Sequence, residues 1–182
     1  ASTDYYTTAF IFLGIYSSPS NYQLSQSEAD GFVQILNNGG NIYMEGGDTW
    51  AYDSQTSLHN MFGLNGVSDG SSDLGTINGI EGTFTEGMTF TYNGGNSWID
   101  QLAPSGGFTI LQNSSPNYAT AIAYLNEDMG YKTIGASHEL GGLQGDVETY
   151  FEKILNFFET GQGGSIDCSA GDLNEDGLND IL

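Results

Sequence analysis

Ala9-Phe10-Ile11-Phe12-Leu13-Gly14-Ile15, an unbroken apolar run, is followed by Leu24-Ser25-Gln26-Ser27-Glu28 and then by Asn41-Ile42-Tyr43-Met44-Glu45. A continuous apolar run of this length is the pattern of a strand covered on both faces, so residues 9–15 read as a central parallel strand. Ser25 and Glu28 form an S-x-x-E capping box. Behind it Ala29, Phe32, Val33 and Leu36 recur at helical spacing until Asn37-Asn38-Gly39-Gly40 stops the helix. Residues 41–45 begin a strand at once. Strand, capped helix, glycine stop and strand make a βαβ unit, which places the two strands parallel in a right-handed crossover.

Working outward, residues 57–62 read as a short helix. The Gly- and Thr-rich region 63–107, with Phe84, Met88, Phe90 and Tyr92, reads as a small antiparallel insertion. Residues 108–111, 119–125 and 131–136 are further strands. The last helix is capped by Asp146, lined by Val147, Tyr150, Phe151, Ile154, Leu155 and Phe158, and closed by Gly161. The predicted fold class is α/β with three layers and a mostly parallel sheet. Residues 1–160 form this domain, 161–166 a Gly-rich linker, and 167–182 the start of an acidic calcium-binding repeat.

The 182 residues hold 23 Asp and Glu but only Lys132 and Lys153, with no Arg, for a net charge of −21. Such a surface repels phosphate backbones, which excludes nucleic acid as a partner. Apolar residues make up 38% of the chain and aromatics 13%, more than a disordered acidic chain carries. No apolar run reaches the roughly 20 residues a membrane helix needs, so no membrane insertion is expected. The chain opens at Ala1 without initiator Met or signal peptide, which reads as a fragment or mature form of a longer protein. One Cys excludes a disulfide framework.

Leu24-Ser25-x-x-Glu28, the block 36–50 (LNNGGNIYMEGGDTW) and the block 131–137 (YKTIGAS) together resemble class I glutamine-amidotransferase-like (flavodoxin-like) domains of large secreted bacterial proteins. The resemblance covers roughly residues 5–160. It implies a three-layer α/β fold and, in catalytic members, a sharp elbow carrying a Cys nucleophile, with His and an acid later in the chain. Glu45 stands where that Cys would be, and a carboxylate is no simple replacement for a thiolate in amide chemistry. Cys168, the only thiol, lies beyond the linker. Ser137-His138-Glu139 falls where the His and acid are expected, yet adjacent strand residues point to opposite faces, so Ser137 and His138 do not pair. The reading is therefore a non-catalytic accessory or binding domain, with other domains of the parent chain and carbohydrate or peptide as partners. The alternative is a hydrolase with an atypical site drawn from Glu45, Asp48, His138 and Glu139.

The cluster Glu45, Asp48, Trp50, Tyr52 and Asp53 carries two readings. One is a sheet-end cleft of carboxylates and aromatic faces suited to sugar or peptide. The other is a turn in which Asp48 caps and Trp50 packs on the sheet. In the tail, residues 172–180 (DLNEDGLND) match D-x-[DN]-x-[DN]-G-x-x-D. Asp172, Asn174, Asp176 and Asp180 supply side-chain oxygens and Leu178 a carbonyl, an arrangement suited to calcium. It resembles a dockerin or EF-hand-like loop, truncated before position 12. Calcium use and the charge point to a secreted bacterial protein of a marine or saline setting. Because repulsion among −21 charges is relieved by screening, the melting temperature should rise with NaCl at low to moderate concentration. A flat or falling series would contradict this.

Overall fold

A computed structural model describes residues 7–16 and 22–162; the 172–180 loop and Cys168 lie outside the described residues. Thr8–Phe12 (β1), Gln26–Asn37 (α1) and Asn41–Glu45 (β2) come first. They are followed by Leu64–Ser68 (β3), Thr76–Gly79 (β4), Thr89–Tyr92 (β5), Gln101–Pro104 (β6), Phe108–Ser114 (β7), Asn117–Asn126 (β8), Tyr131–Ala136 (β9), Leu143–Gln144 (β10) and Val147–Thr160 (α2). The Ser25 hydroxyl accepts from Glu28 N–H while the Glu28 carboxylate accepts from Ser25 N–H, so the capping box starts α1. β1 and β2 pair in parallel from Thr8↔Asn41 to Phe12↔Glu45, with α1 as their connection.

Beyond that unit the sheet departs from expectation. Its order is β1-β2-β9-β8-β7-β4-β5-β10, with β6 joining β3 to the start of β8. Among the described residues only β1/β2 and β2/β9 are parallel, and the remaining pairings are antiparallel. The described residues thus form a mixed, largely antiparallel, curled sheet with two α-helices, not a three-layer, mostly parallel α/β fold with a small antiparallel insertion. The reason is connection length. Parallel neighbours need a crossover of a dozen or more residues, whereas short links make hairpins. Between β2 and α2 the only helical turns are the single 3₁₀ turns His59–Met61 and Leu140–Gly142. Ser115 and Pro116 alone separate β7 from β8, and four residues separate β8 from β9.

β1 is an edge strand, not a central one, and Phe12 on it is 59% exposed. Its apolar run has another cause: each face is covered by a helix. Ile11 joins the cluster that holds Ala29 and Leu36 of α1, while Phe10 lies 5.3 Å from the Phe151 ring of α2. β2 alternates the same way. Ile42 and Met44 face the α1 side and Tyr43 the α2 side, all fully buried. α2 is capped by Asp146 and ends at Gly161, whose φ of 72° favours glycine. Its buried face is Tyr150, Ile154, Phe157 and Phe158, whereas Phe151 and Leu155 are partly exposed. No helix among the described residues is long and apolar enough to cross a membrane.

Candidate functional site

Two clefts open near the end of β2, and they divide the residues that the sequence groups together. The first, about 670 Å³, is lined by Phe12 and Glu45 from the ends of β1 and β2, by Asn93-Gly94-Gly95 after β5, by Glu139–Gly142 after β9, and by Val147. Glu45 Oε2 accepts from the Tyr43 hydroxyl at 2.7 Å and from Leu140 N–H at 2.8 Å. Glu139 Oε2 accepts from the Tyr92 hydroxyl and Gly95 N–H, each at 2.9 Å. Burial pushes the Glu45 carboxyl up to about 7; the Tyr43 and Leu140 bonds oppose this and the charge of Glu139 adds to it. Near neutral pH Glu45 therefore changes between acid and carboxylate.

His138 is not part of this cleft. It is fully buried, and neither ring nitrogen has a hydrogen-bond partner. Burial lowers its pKa to about 4, against the smaller opposing effect of the Thr120 backbone, so the ring is neutral. Ser137 is equally buried; its N–H donates to the Thr120 carbonyl at 2.9 Å and its hydroxyl makes only a long 3.4 Å bond to the same oxygen. No nucleophile and base are brought together here among the described residues.

Asp48 belongs to the second cleft, about 430 Å³, lined by Tyr16, Asp48, Tyr52, Asp69, Ser72, Asn96 and Trp98. Its aromatic walls are strongly exposed: Tyr16 61%, Tyr52 68% and Trp98 44%. Asn96 ties the rim together, donating from Nδ2 to the Tyr16 carbonyl and accepting at Oδ1 from Trp98 N–H. Beneath the rim, oxygens of Asp48, Asp69 and Asp100 all lie within 4.8 Å of one another. The β3/β6 pairing explains the convergence. Ser68 is opposite Gln101, so the next residues outward, Asp69 and Asp100, meet at the end of that ladder. Asp100 N–H then donates to the Gly47 carbonyl, beside Asp48. Burial raises the Asp100 carboxyl to about 6, opposed by N–H donors of Ala51 and Trp50. Burial and then the charges of Asp53 and Asp69 raise Asp48.

Trp50 is buried, as the turn reading has it, while Tyr52 two residues on faces the cleft. The sequence reading missed Tyr16, Asp69, Asn96, Trp98 and Asp100. They sit in Gly- and Ser-rich stretches with no periodicity, and only the β3/β6 register and the Ser72↔Trp98 bridge assemble them.

No known family profile and no curated protein matches this sequence. Among solved structures, the N-terminal domain of mmIFT52 is similar at 12% identity over 83% of this chain and 77% of that one, with a TM-score of 0.51. A cold-adapted β-galactosidase from Rahnella sp. R3 is similar at 9% identity over 85% of this chain, with a TM-score of 0.53. Gan42B, a GH42 β-galactosidase from G. stearothermophilus, is similar at 10% identity over 88%, also at 0.53. The matched part is 23% and 22% of those two galactosidase chains. At such identities the likeness is one of fold alone. These neighbours, with the mixed curled sheet, replace the amidotransferase-like, flavodoxin-like resemblance drawn from the sequence blocks.

Proposed function

We propose that this domain is a non-catalytic binding module of a larger secreted, calcium-using bacterial protein, and that the Tyr16/Tyr52/Trp98 cleft is its carbohydrate seat. The observation that carries this reading is three exposed aromatic rings around one concave site with polar groups between them. Aromatic side chains combine a large apolar face with a polar tip, and the C–H faces of a sugar pack on such rings while its hydroxyls donate to carboxylates. Asp48 and Asp69 supply those acceptors. The strongly negative chain disfavours uronates and sulfated glycans, so the expected ligands are neutral oligosaccharides. A match to about a fifth of two β-galactosidase chains is compatible with an accessory role beside a sugar-handling enzyme.

Titration calorimetry against a panel of neutral and anionic oligosaccharides tests this. Trp98→Ala and Tyr52→Ala should each weaken binding of the best neutral ligand by roughly 30-fold, the loss expected for a central aromatic contact of about 2 kcal/mol. Neutral sugars that bind both variants as tightly as the parent, or do not bind at all, would defeat the reading.

The Glu45 cleft supports a second reading, hydrolysis. A carboxyl titrating near 7 beside Glu139 in a cleft has the pKa of a general acid. Glycosidase activity on chromogenic substrates that disappears in Glu45→Gln would establish it over the binding role.

A further inference from the structure

We infer that Asp48, Asp69 and Asp100 form a calcium-binding site at the floor of the aromatic cleft, separate from the tail loop and formed by the folded domain itself.

Three carboxylate oxygens within 4.8 Å of one another fit around a single ion, since calcium–oxygen distances of 2.3–2.6 Å put opposite ligands roughly 4.6–5.2 Å apart. Crowding of carboxylates is not enough by itself. The decisive feature is Asp100, a side chain with no solvent exposure. Its Oδ2 is fully engaged, accepting from Trp50 N–H at 2.8 Å and Ala51 N–H at 2.7 Å. Its Oδ1 is buried without any hydrogen-bond partner. A buried carboxylate oxygen without donor or counter-ion carries a large desolvation cost, and a cation held there removes it.

The chain is poor in side-chain cations. It contains no Arg, and of its two Lys residues Lys132 donates to the Phe158 carbonyl while Lys153 is on α2. Asp53, whose Oδ2 is likewise buried without a hydrogen-bond partner, adds a further negative charge that acts on Asp48. The donor set is all oxygen, which selects hard cations over zinc or copper. Three convergent carboxylates favour calcium, because magnesium keeps most of its waters and takes one or two carboxylates. Asp48 and Asp69 also line the cleft, so the ion's open positions would face it. The cation site stands without any sugar, and its test uses calcium alone.

The test is done on the full chain carrying Asp172→Asn and Asp176→Asn, which silence the tail loop. Melting temperature and terbium luminescence, with Trp98 and Tyr52 as nearby antennae, are followed during CaCl2 titration at fixed ionic strength. Expected is a saturable rise in melting temperature with a midpoint in the range of extracellular calcium modules, about 10⁻⁴–10⁻³ M. Terbium emission should be displaced by calcium over the same range. Asp69→Asn, at a half-buried position after the end of β3, should raise the midpoint at least tenfold. Asp100→Asn should abolish the response; if it fails to fold, Asp48→Asn is read in its place. An absent saturable response up to about 10 mM calcium, a response unchanged by Asp69→Asn, or an equal shift from magnesium would each overturn the assignment.

Discussion

Trp50→Ala is expected to destabilise the domain by about 3–5 kcal/mol, the range for truncating a large buried aromatic. Trp50 is 3% exposed, and its ring meets Phe62 edge-on at 5.1 Å and His59 at 5.4 Å. The indole N–H donates to the Ala136 carbonyl at 2.8 Å. Beneath the ring the sheet has no side chain: a Cβ on Gly135 would come within 2.8 Å of the indole, so glycine there is what lets the ring lie against β9. Alanine at position 50 leaves a void among groups held apart by their own hydrogen bonds. His59, for example, accepts at Nδ1 from Thr56 N–H and so carries its proton on Nε2, facing the Thr49 hydroxyl. Because whole domains are stable by only about 5–15 kcal/mol, Trp50→Ala could unfold this one, and Trp50→Phe is the companion measurement. Phenylalanine keeps most of the packing, and the Ala136 carbonyl still accepts from Gly46 N–H, so a loss of about 1–2 kcal/mol is expected. Urea unfolding followed by circular dichroism measures both. A loss under about 1 kcal/mol for Trp50→Ala would show that the ring is not the keystone of the α1-side core.

Glu45→Gln is expected to stabilise the protein at alkaline pH by about 3 kcal/mol, a gain that disappears on acidification. The carboxyl titrates at about 7 in the folded chain against 4.5 for an unperturbed glutamate. The folded state therefore holds this proton more tightly than the unfolded state does. Its contribution to stability is complete below about 4.5, falls as pH rises, and is lost by about 7, above which the native chain carries a buried carboxylate at full cost. Glutamine keeps an acceptor for the Tyr43 hydroxyl and Leu140 N–H and has no charge to desolvate. Stability curves from pH 4.5 to 8 should thus diverge for parent and variant as pH rises. Parallel curves, or a variant weaker than the parent at pH 8, would mean that burial does not dominate the Glu45 environment.

What the sequence by itself determined is local and short-ranged. The Ser25–Glu28 capping box, the Gly161 stop, the β1-α1-β2 unit and the strands around residues 108–136 are written in contiguous residues, and each is present. The −21 charge is equally plain, because composition needs no fold. The apolar run at 9–15 revealed cover on both faces but not position in the sheet, since an edge strand between two helices looks the same as a central one. The direction of most strands was in principle legible from the lack of a crossover helix between residues 46 and 146, a signal outweighed by the family resemblance of the flanking blocks. Only the tertiary structure decided the sites. Glu45 and Asp48, three residues apart, open into different clefts because the turn after β2 separates them. Glu45 instead meets Glu139, and Asp48 meets Asp69 and Asp100, from segments about 20 to 95 residues away in the chain. Cross-strand pairing brings such residues together, and pairing partners are set by the whole sheet rather than by any window of sequence.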